Sequence, residues 1–313
     1  MYLATVSTVV VLVFAIPRAI AGDPLAGYAD QDGIVTPETR AYYTAYYGLD
    51  RPLRVQFARY LDKLAHGDLG ESIDYRMPVG RLIRGALPWT LLLMGTAILI
   101  SSVVSYCIGL DAAWRRGETD DRVMIATHVF LHSFPDFVLA LFVLIVFGVL
   151  IRVFPSSGGS TPFTTSGSTL FKLKDVLHHL VLPASTLTLS MMGSNFLVVR
   201  NVTVGVLGQD YMLLARAKGL PERLQKRRHA GRNVLLPYLN MVGLHIGFAL
   251  GGALFIENVF GYPGMGTLVV HSVNALDYPV IEACFLATAL LVLTANLVVD
   301  IVSVFVDPRI QRP

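Results

Sequence analysis

"ARAKGLPERLQKRRHAGRNVLLP", Ala215 to Pro237, holds seven of the chain's 25 lysines and arginines: Arg216, Lys218, Arg223, Lys226, Arg227, Arg228 and Arg232. Glu222 is its only acid. Long apolar segments lie on both sides. The chain is 54% hydrophobic, only 15% charged, and has a mean hydropathy of +0.58 over 313 residues. Soluble domains are nearer one quarter charged. Several apolar segments reach the roughly 20 residues that a helix needs to cross a bilayer. A helix satisfies its own backbone hydrogen bonds in lipid, and the alternating pattern of a membrane barrel is absent. The fold class is therefore an all-α polytopic membrane protein.

Working outward from the basic stretch, six spans are expected: Leu3 to Ala21, then about Leu87 to Leu110, Val123 to Val149 (interrupted near Pro135 and Asp136), Leu177 to Val199, Leu236 to Ile256 and Val280 to Val306. The first span, 1–21, lacks the basic lead-in of a signal peptide. Residues 22–86 form a polar extracytoplasmic segment between spans one and two. Thr36, Pro37 and Glu38 open one helix there. Leu53, Phe57, Tyr60, Leu61 and Leu64 recur at helical spacing before a stop at Gly67. Residues 87–313 form the core.

Orientation follows from basic residues in short loops. Arg115, Arg116 and Arg122 follow span two, and the opening stretch follows span four. The loop from Glu257 to Pro279 carries no lysine or arginine. Arg152, Lys172 and Lys174 after span three weaken the bias without reversing it. Both termini and the opening stretch are thus placed in the cytoplasm. Topology alone needs only a few charges. The pattern from Ala215 to Asn233 also supports a short helical unit, with a start at Pro221–Glu222 and a break at Gly231, suited to docking a partner. Attraction to anionic lipid is the plainer alternative.

The motifs for chemistry are missing. There is no phosphate loop, no HExxH helix and no GxSxG elbow. Ionisable groups in the spans are few, mainly Asp136, Glu282 and Asp300, so uphill transport would draw its energy from another subunit. His128 and His132 share one helix face, but with no third ligand in view, packing outweighs metal binding. His178 and His179 read as interfacial. Cys107 and Cys284 read as small buried side chains. Asn195, Asn240 and His245 either line a path or pack between helices. Gly243, Gly247 and Gly251 recur every four residues, a spacing that lets helices approach closely, within the chain or at a subunit interface.

Segments across nearly the whole length then acquire a common meaning: "GDPLA" at 22–26, "YGLDRPLRVQFARYL" at 47–61, "GDLGESI" at 67–73, "RRG" at 115–117, "FPSSGG" at 154–159, "YMLLARAKGL" at 211–220, "RHAGRNVLLP" at 228–237, "ENVFGYPGMGTLV" at 257–269, "DYPV" at 277–280 and "DPRI" at 307–310. In this order and spacing the chain resembles the permeases of bacterial binding-protein-dependent ATP-binding-cassette importers, in the dipeptide, oligopeptide and nickel branch. That resemblance implies a cytoplasmic coupling segment at about 209–233, gripped by an ATPase. Its implied coupling residues are Tyr211, Ala215, Arg216, Ala217, Lys218, Gly219, Leu220, Arg223, Arg227, Arg228 and His229. The wider superfamily's Glu-Ala-Ala…Gly pattern is matched at Ala215 and Gly219, whereas Leu213 and Leu214 stand where Glu and Ala would be.

The resemblance further implies a second related permease, two ATPase subunits carrying the ATP and Mg, an extracytoplasmic solute-binding protein and a place in the bacterial inner membrane. It implies no cofactor or catalysis in this chain and no nucleic-acid partner. Di- or oligopeptide is the implied cargo, with nickel chelates or haem as alternatives. A self-contained channel or carrier is the rival from another class.

Overall fold

The computed structural model describes residues 2–19, 36–48, 50–162 and 168–306. The segments at 22–26 and 307–310, the last two residues of the expected first span, and positions 163–167 of the loop after span three lie outside the described residues. Among the described residues twelve helices follow in order: α1 Tyr2–Ala19, α2 Pro37–Tyr47, α3 Leu53–Ala65, α4 Val79–Trp114, α5 Thr119–His132, α6 Asp136–Val143, α7 Thr169–Leu207, α8 Asp210–Ala217, α9 Glu222–Leu224, α10 Arg232–Val259, α11 Met265–Asn274 and α12 Tyr278–Val306. Wider, π-type turns extend α6 through Leu150 and join α9 to α10 across Gln225–Gly231. The only β pairing among the described residues is a single bridge between Glu71 and Pro78.

Among the described residues three helical stretches are long and apolar enough to cross a bilayer: Val79–Trp114, Thr169–Leu207 and Tyr278–Val299. A fourth arises if Thr119–His132 and Asp136–Leu150, bent by 98° at their junction, count together. The bend falls where the sequence is interrupted. Pro135 takes an extended ψ of 142° as the residue before α6, and proline cannot continue a helix without loss of a hydrogen bond. The other two expected spans fall on α1 and α10, whose apolar stretches, Ala4–Ala15 and Ala249–Val259, are shorter. In α10, Asn233, Pro237 and Asn240 occupy the first turns and dilute the apolar run.

The chain divides into two compact units. The first comprises residues 1–90 and 263–293. Val10 and Val13 of α1 and Leu286 of α12 are buried there, with Phe57, Tyr60 and Leu64 of α3 packed over them. The helical spacing foreseen for α3 thus sets which face it applies to α1. Phe14 meets Phe57 edge-on at 5.0 Å, within the range where aromatic edges and faces attract. Gly67, at φ +72°, follows the end of α3. Beyond it, the fully buried Asp277 holds the 72–75 loop. Its carboxylate accepts from the Ser72 hydroxyl at 2.5 Å and from the Asp74 amide at 3.2 Å.

The second unit comprises residues 91–262 and 294–313, with α7 packed against α5, α6 and α10. Leu182, Leu187, Phe196 and Val199 of α7 are buried. Close approach depends on missing side chains. A Cβ on Gly193 would lie 2.5 Å from the Cβ of His132, and one on Gly109 would lie 2.8 Å from Val199. Leu110, Val199, Val234 and Tyr238 form one core cluster, over which Tyr106 stacks on Tyr238 at 6.2 Å.

Candidate functional site

The basic stretch is ordered as a short helix, a tight reversal and a second helical run. Gln209, extended at ψ 150°, precedes α8, and Asp210 sits in its first turn, where a carboxylate meets the helix's positive end. Met212 and Ala215, three apart on one face, are buried at 0% and 3% exposure. They fix the helix to the body. The other face is left open: Leu213 is 56% exposed, Leu214 55% and Tyr211 39%.

The helix ends in a Schellman motif. Gly219, at φ +66°, donates its amide to the Arg216 carbonyl at 2.9 Å, and the Leu220 amide donates to Ala215 at 3.3 Å. This is the 5→2 and 6→1 pair that satisfies the last free carbonyls of a helix, with glycine at the left-handed position. A side chain there would cost about 1–2 kcal/mol. Pro221, extended at ψ 141°, starts the next helical run, as the sequence indicates. Gln225, buried, closes the corner by donating to the Leu220 carbonyl at 2.6 Å.

Gly231 differs from expectation. It does not break the helix: its φ of −55° and ψ of −48° are helical, and the chain runs on into α10. A Cβ there would meet the Tyr106 hydroxyl at 2.8 Å. The glycine serves close packing of this corner against α4. Lys226 and Asp111 pair at the same corner, so the segment is fastened to the end of α4 by a charge pair and by the Tyr106 contact.

Arg216, Ala217, Lys218, Gly219, Arg223, Arg227 and Arg228 are exposed, while Leu220 and His229 are half-buried. The chain thus presents an apolar knob of Leu213 and Leu214 on a helix buried along its other face, in a stretch that also exposes five cations. The knob was readable only as two departures from the superfamily pattern. Its exposure depends on the phase set by Met212 and Ala215.

The residues foreseen as path or packing groups separate. Asn195 is buried and its amide donates to Ser101 at 3.4 Å, which is packing between α7 and α4. Asn240 is exposed. The His245 side chain lies outside those described. Gly243 is buried, and a Cβ there would lie 2.7 Å from Val299. Gly247 is half-buried. Gly251 is exposed and faces open space. Its neighbour Gly252, outside the foreseen pattern, makes the close contact: a Cβ there would lie 2.6 Å from the Asp136 carboxylate, which also accepts the Ser190 hydroxyl. His128 stacks on Phe196 at 4.1 Å and its Nδ1 lies 2.8 Å from the Met124 carbonyl, a packing role. His178 is exposed and His179 is buried beside Asp175. Cys284 is buried, but Cys107 is exposed, contrary to the reading of both as buried.

One feature lay beyond sequence reasoning. Asp121 at the start of α5, 2% exposed, accepts two hydrogen bonds from the Arg200 guanidinium of α7, at 2.9 and 2.7 Å, and a third from the Gly117 amide at 3.0 Å. Asp121 stands among exposed acids in "GETDDR", and nothing local separates it from Asp120, which pairs with Arg115 instead.

Comparison with known proteins shows the family. The family described as "Binding-protein-dependent transport system inner membrane component" matches residues 105–312. The oligopeptide transport system permease protein AppB of Bacillus subtilis is 35% identical over 97% of this chain and 94% of its own length. The glutathione transport system permease protein GsiC of Salmonella typhimurium is 34% identical over 98% and 95%. The Escherichia coli protein named "Probable D,D-dipeptide transport system permease protein DdpB" is 36% identical over 98% and 94%. The chain belongs to the family of binding-protein-dependent transport system inner membrane components.

Proposed function

We propose that this permease subunit forms half of the translocation path of an ATP-driven importer for di- or oligopeptides. The peptide cargo rests on relatives named for oligopeptide, glutathione and D,D-dipeptide transport. Six spans place both termini in the cytoplasm, with residues 1–21 as the first span, 22–86 outside and 87–313 as the core. A second, related permease completes the path. An extracytoplasmic binding protein delivers the solute. Two ATPase subunits hold ATP and Mg and grip residues 209–233. ATP closes the ATPase pair, the two coupling helices move with it, and the spans open outward. This chain transmits motion and holds no nucleotide of its own.

The observation that carries the reading is the exposed Leu213–Leu214 knob, on a helix held by Met212 and Ala215, in a stretch that exposes five cations. A helix so anchored transmits displacement, whereas a merely topogenic loop needs no buried face. Reversing two of these charges, Arg227→Glu with Arg228→Glu, is expected to repel a partner surface that complements them. ATP-dependent uptake into whole cells is expected to fall at least tenfold, with membrane insertion unchanged. Unaltered uptake would remove these charges from docking.

A further inference from the structure

The coupling segment leads into α10 through the π-type turns of Gln225–Gly231. Turns of this kind are rare and collect at functional positions. The helical run is continuous there, since Gly231 keeps helical angles. Two residues of the run meet the C-terminal end of α4. Lys226 pairs with Asp111. Gly231 is buried, and a Cβ on it would lie 2.8 Å from the Tyr106 hydroxyl and 3.5 Å from Leu110. The two contacts are spaced alike on both elements. Positions 226 and 231 are five apart, as are 111 and 106, and they pair in opposite order. One contact would leave the segment free to pivot on α4. Two fix its direction as well as its place.

Stability alone explains neither contact. The Lys226 side chain is 25% exposed and that of Asp111 52%, and ion pairs so open to water contribute little. A glycine at helical angles costs the run propensity relative to alanine. Behind the contacts, α4 is closely packed. Tyr106 stacks on Tyr238 of α10 at 6.2 Å, and the Tyr238 hydroxyl donates to the Ser102 carbonyl at 3.2 Å. A Cβ on Gly109 would lie 2.8 Å from Val199 of α7. Interiors packed this closely pass displacement on. α7 and α10 are joined to the basic stretch through the backbone, whereas α4 meets it through side chains. We propose that Tyr106, Asp111, Lys226 and Gly231 are positioning residues that form a two-point brace, by which a push on the coupling segment moves α4 together with α7 and α10. The brace rests on the coupling role proposed above and adds the route inward. Without it the ATPase stays bound and hydrolyses ATP, but less solute moves per ATP.

The test uses the assembled importer in proteoliposomes, with ATP enclosed and the binding protein outside. Uptake of radiolabelled dialanine and release of phosphate are measured in parallel. Asp111→Lys is expected to keep the ATPase at the parent ratio on purification, to retain hydrolysis, and to lower peptide taken up per ATP at least fivefold. Asp111→Lys with Lys226→Asp re-forms the pair and is expected to return that ratio to within twofold of the parent. Gly231→Ala drives a methyl against the Tyr106 hydroxyl and is expected to lower the ratio likewise. Adding Tyr106→Phe removes that hydroxyl, keeps the ring on Tyr238, and is expected to recover it. A fault of structure alone would lower uptake and hydrolysis in proportion, or would not be repaired by the paired changes. Either outcome overturns the brace, as does an Asp111→Lys complex as tightly coupled as the parent. Loss of the ATPase from that complex would place Asp111 in docking and overturn it too. A parent complex that carries no ATPase would defeat the coupling role and the brace with it, whereas an ATP-driven parent with unaffected variants refutes the brace alone.

Discussion

The pair Leu213→Asp with Leu214→Asp is expected to strip the ATPase subunits from the purified importer and abolish ATP-driven uptake. Both side chains are about half exposed in the free chain. Fully covering a leucine contributes about 1.5–3 kcal/mol, so the uncovered halves amount to roughly 2–3 kcal/mol together. That corresponds to about 30- to 150-fold in affinity. Two carboxylates forced into the same apolar contact add a desolvation cost, which carries the expected loss beyond about 100-fold. Folding is spared, because Met212 and Ala215 supply the buried face. Copurification of the ATPase, scored against total permease in the membrane, checks this. Retention of the ATPase at the wild-type ratio would contradict it.

The second large effect is on stability and lies away from the docking face. Asp121→Ala leaves the Arg200 guanidinium, whose side chain is 16% exposed, without its acid. Breaking one side of a buried pair costs about 3–5 kcal/mol, a large share of the stability of an ordinary domain. The variant is expected to lose its monodisperse peak in detergent after mild heating, as followed by size-exclusion chromatography. Replacing both partners, Asp121→Leu with Arg200→Met, is expected to recover most of the loss, because it removes the orphaned charge as well as the pair. An Asp121→Ala protein as heat-resistant as the parent would show that the pair contributes no net stability.

These two predictions mark what sequence could and could not reveal. The helical turns of the basic stretch were legible because proline and glycine are local signals. Pro221 opens a helical run and Gly219 closes α8, each by its own backbone preference. α3 was legible because Phe57, Tyr60 and Leu64 keep one helical phase and pack on α1, while Leu53 and Leu61 of the same pattern stay exposed. Gly231 misled because glycine has two uses: it can end a helix, or it can admit a neighbour. The Tyr106 hydroxyl, 125 positions earlier in the chain, decides between them. Gly251 and Gly252 are a similar case. One residue rotates the helix face by about 100°, and only the position of Asp136 tells which glycine is covered. The Asp121–Arg200 pair joins residues 79 apart, which no local pattern foreshadows.

The central claim is contact between the Leu213–Leu214 knob and an ATPase subunit. A benzophenone amino acid placed at position 214, in an importer that still takes up solute, tests this most directly. Illumination is expected to join this chain covalently to the ATPase both with and without ATP, as the proposed coupling role requires. Efficient illumination with adducts only to lipid, water or the second permease, in every nucleotide state, would contradict the account.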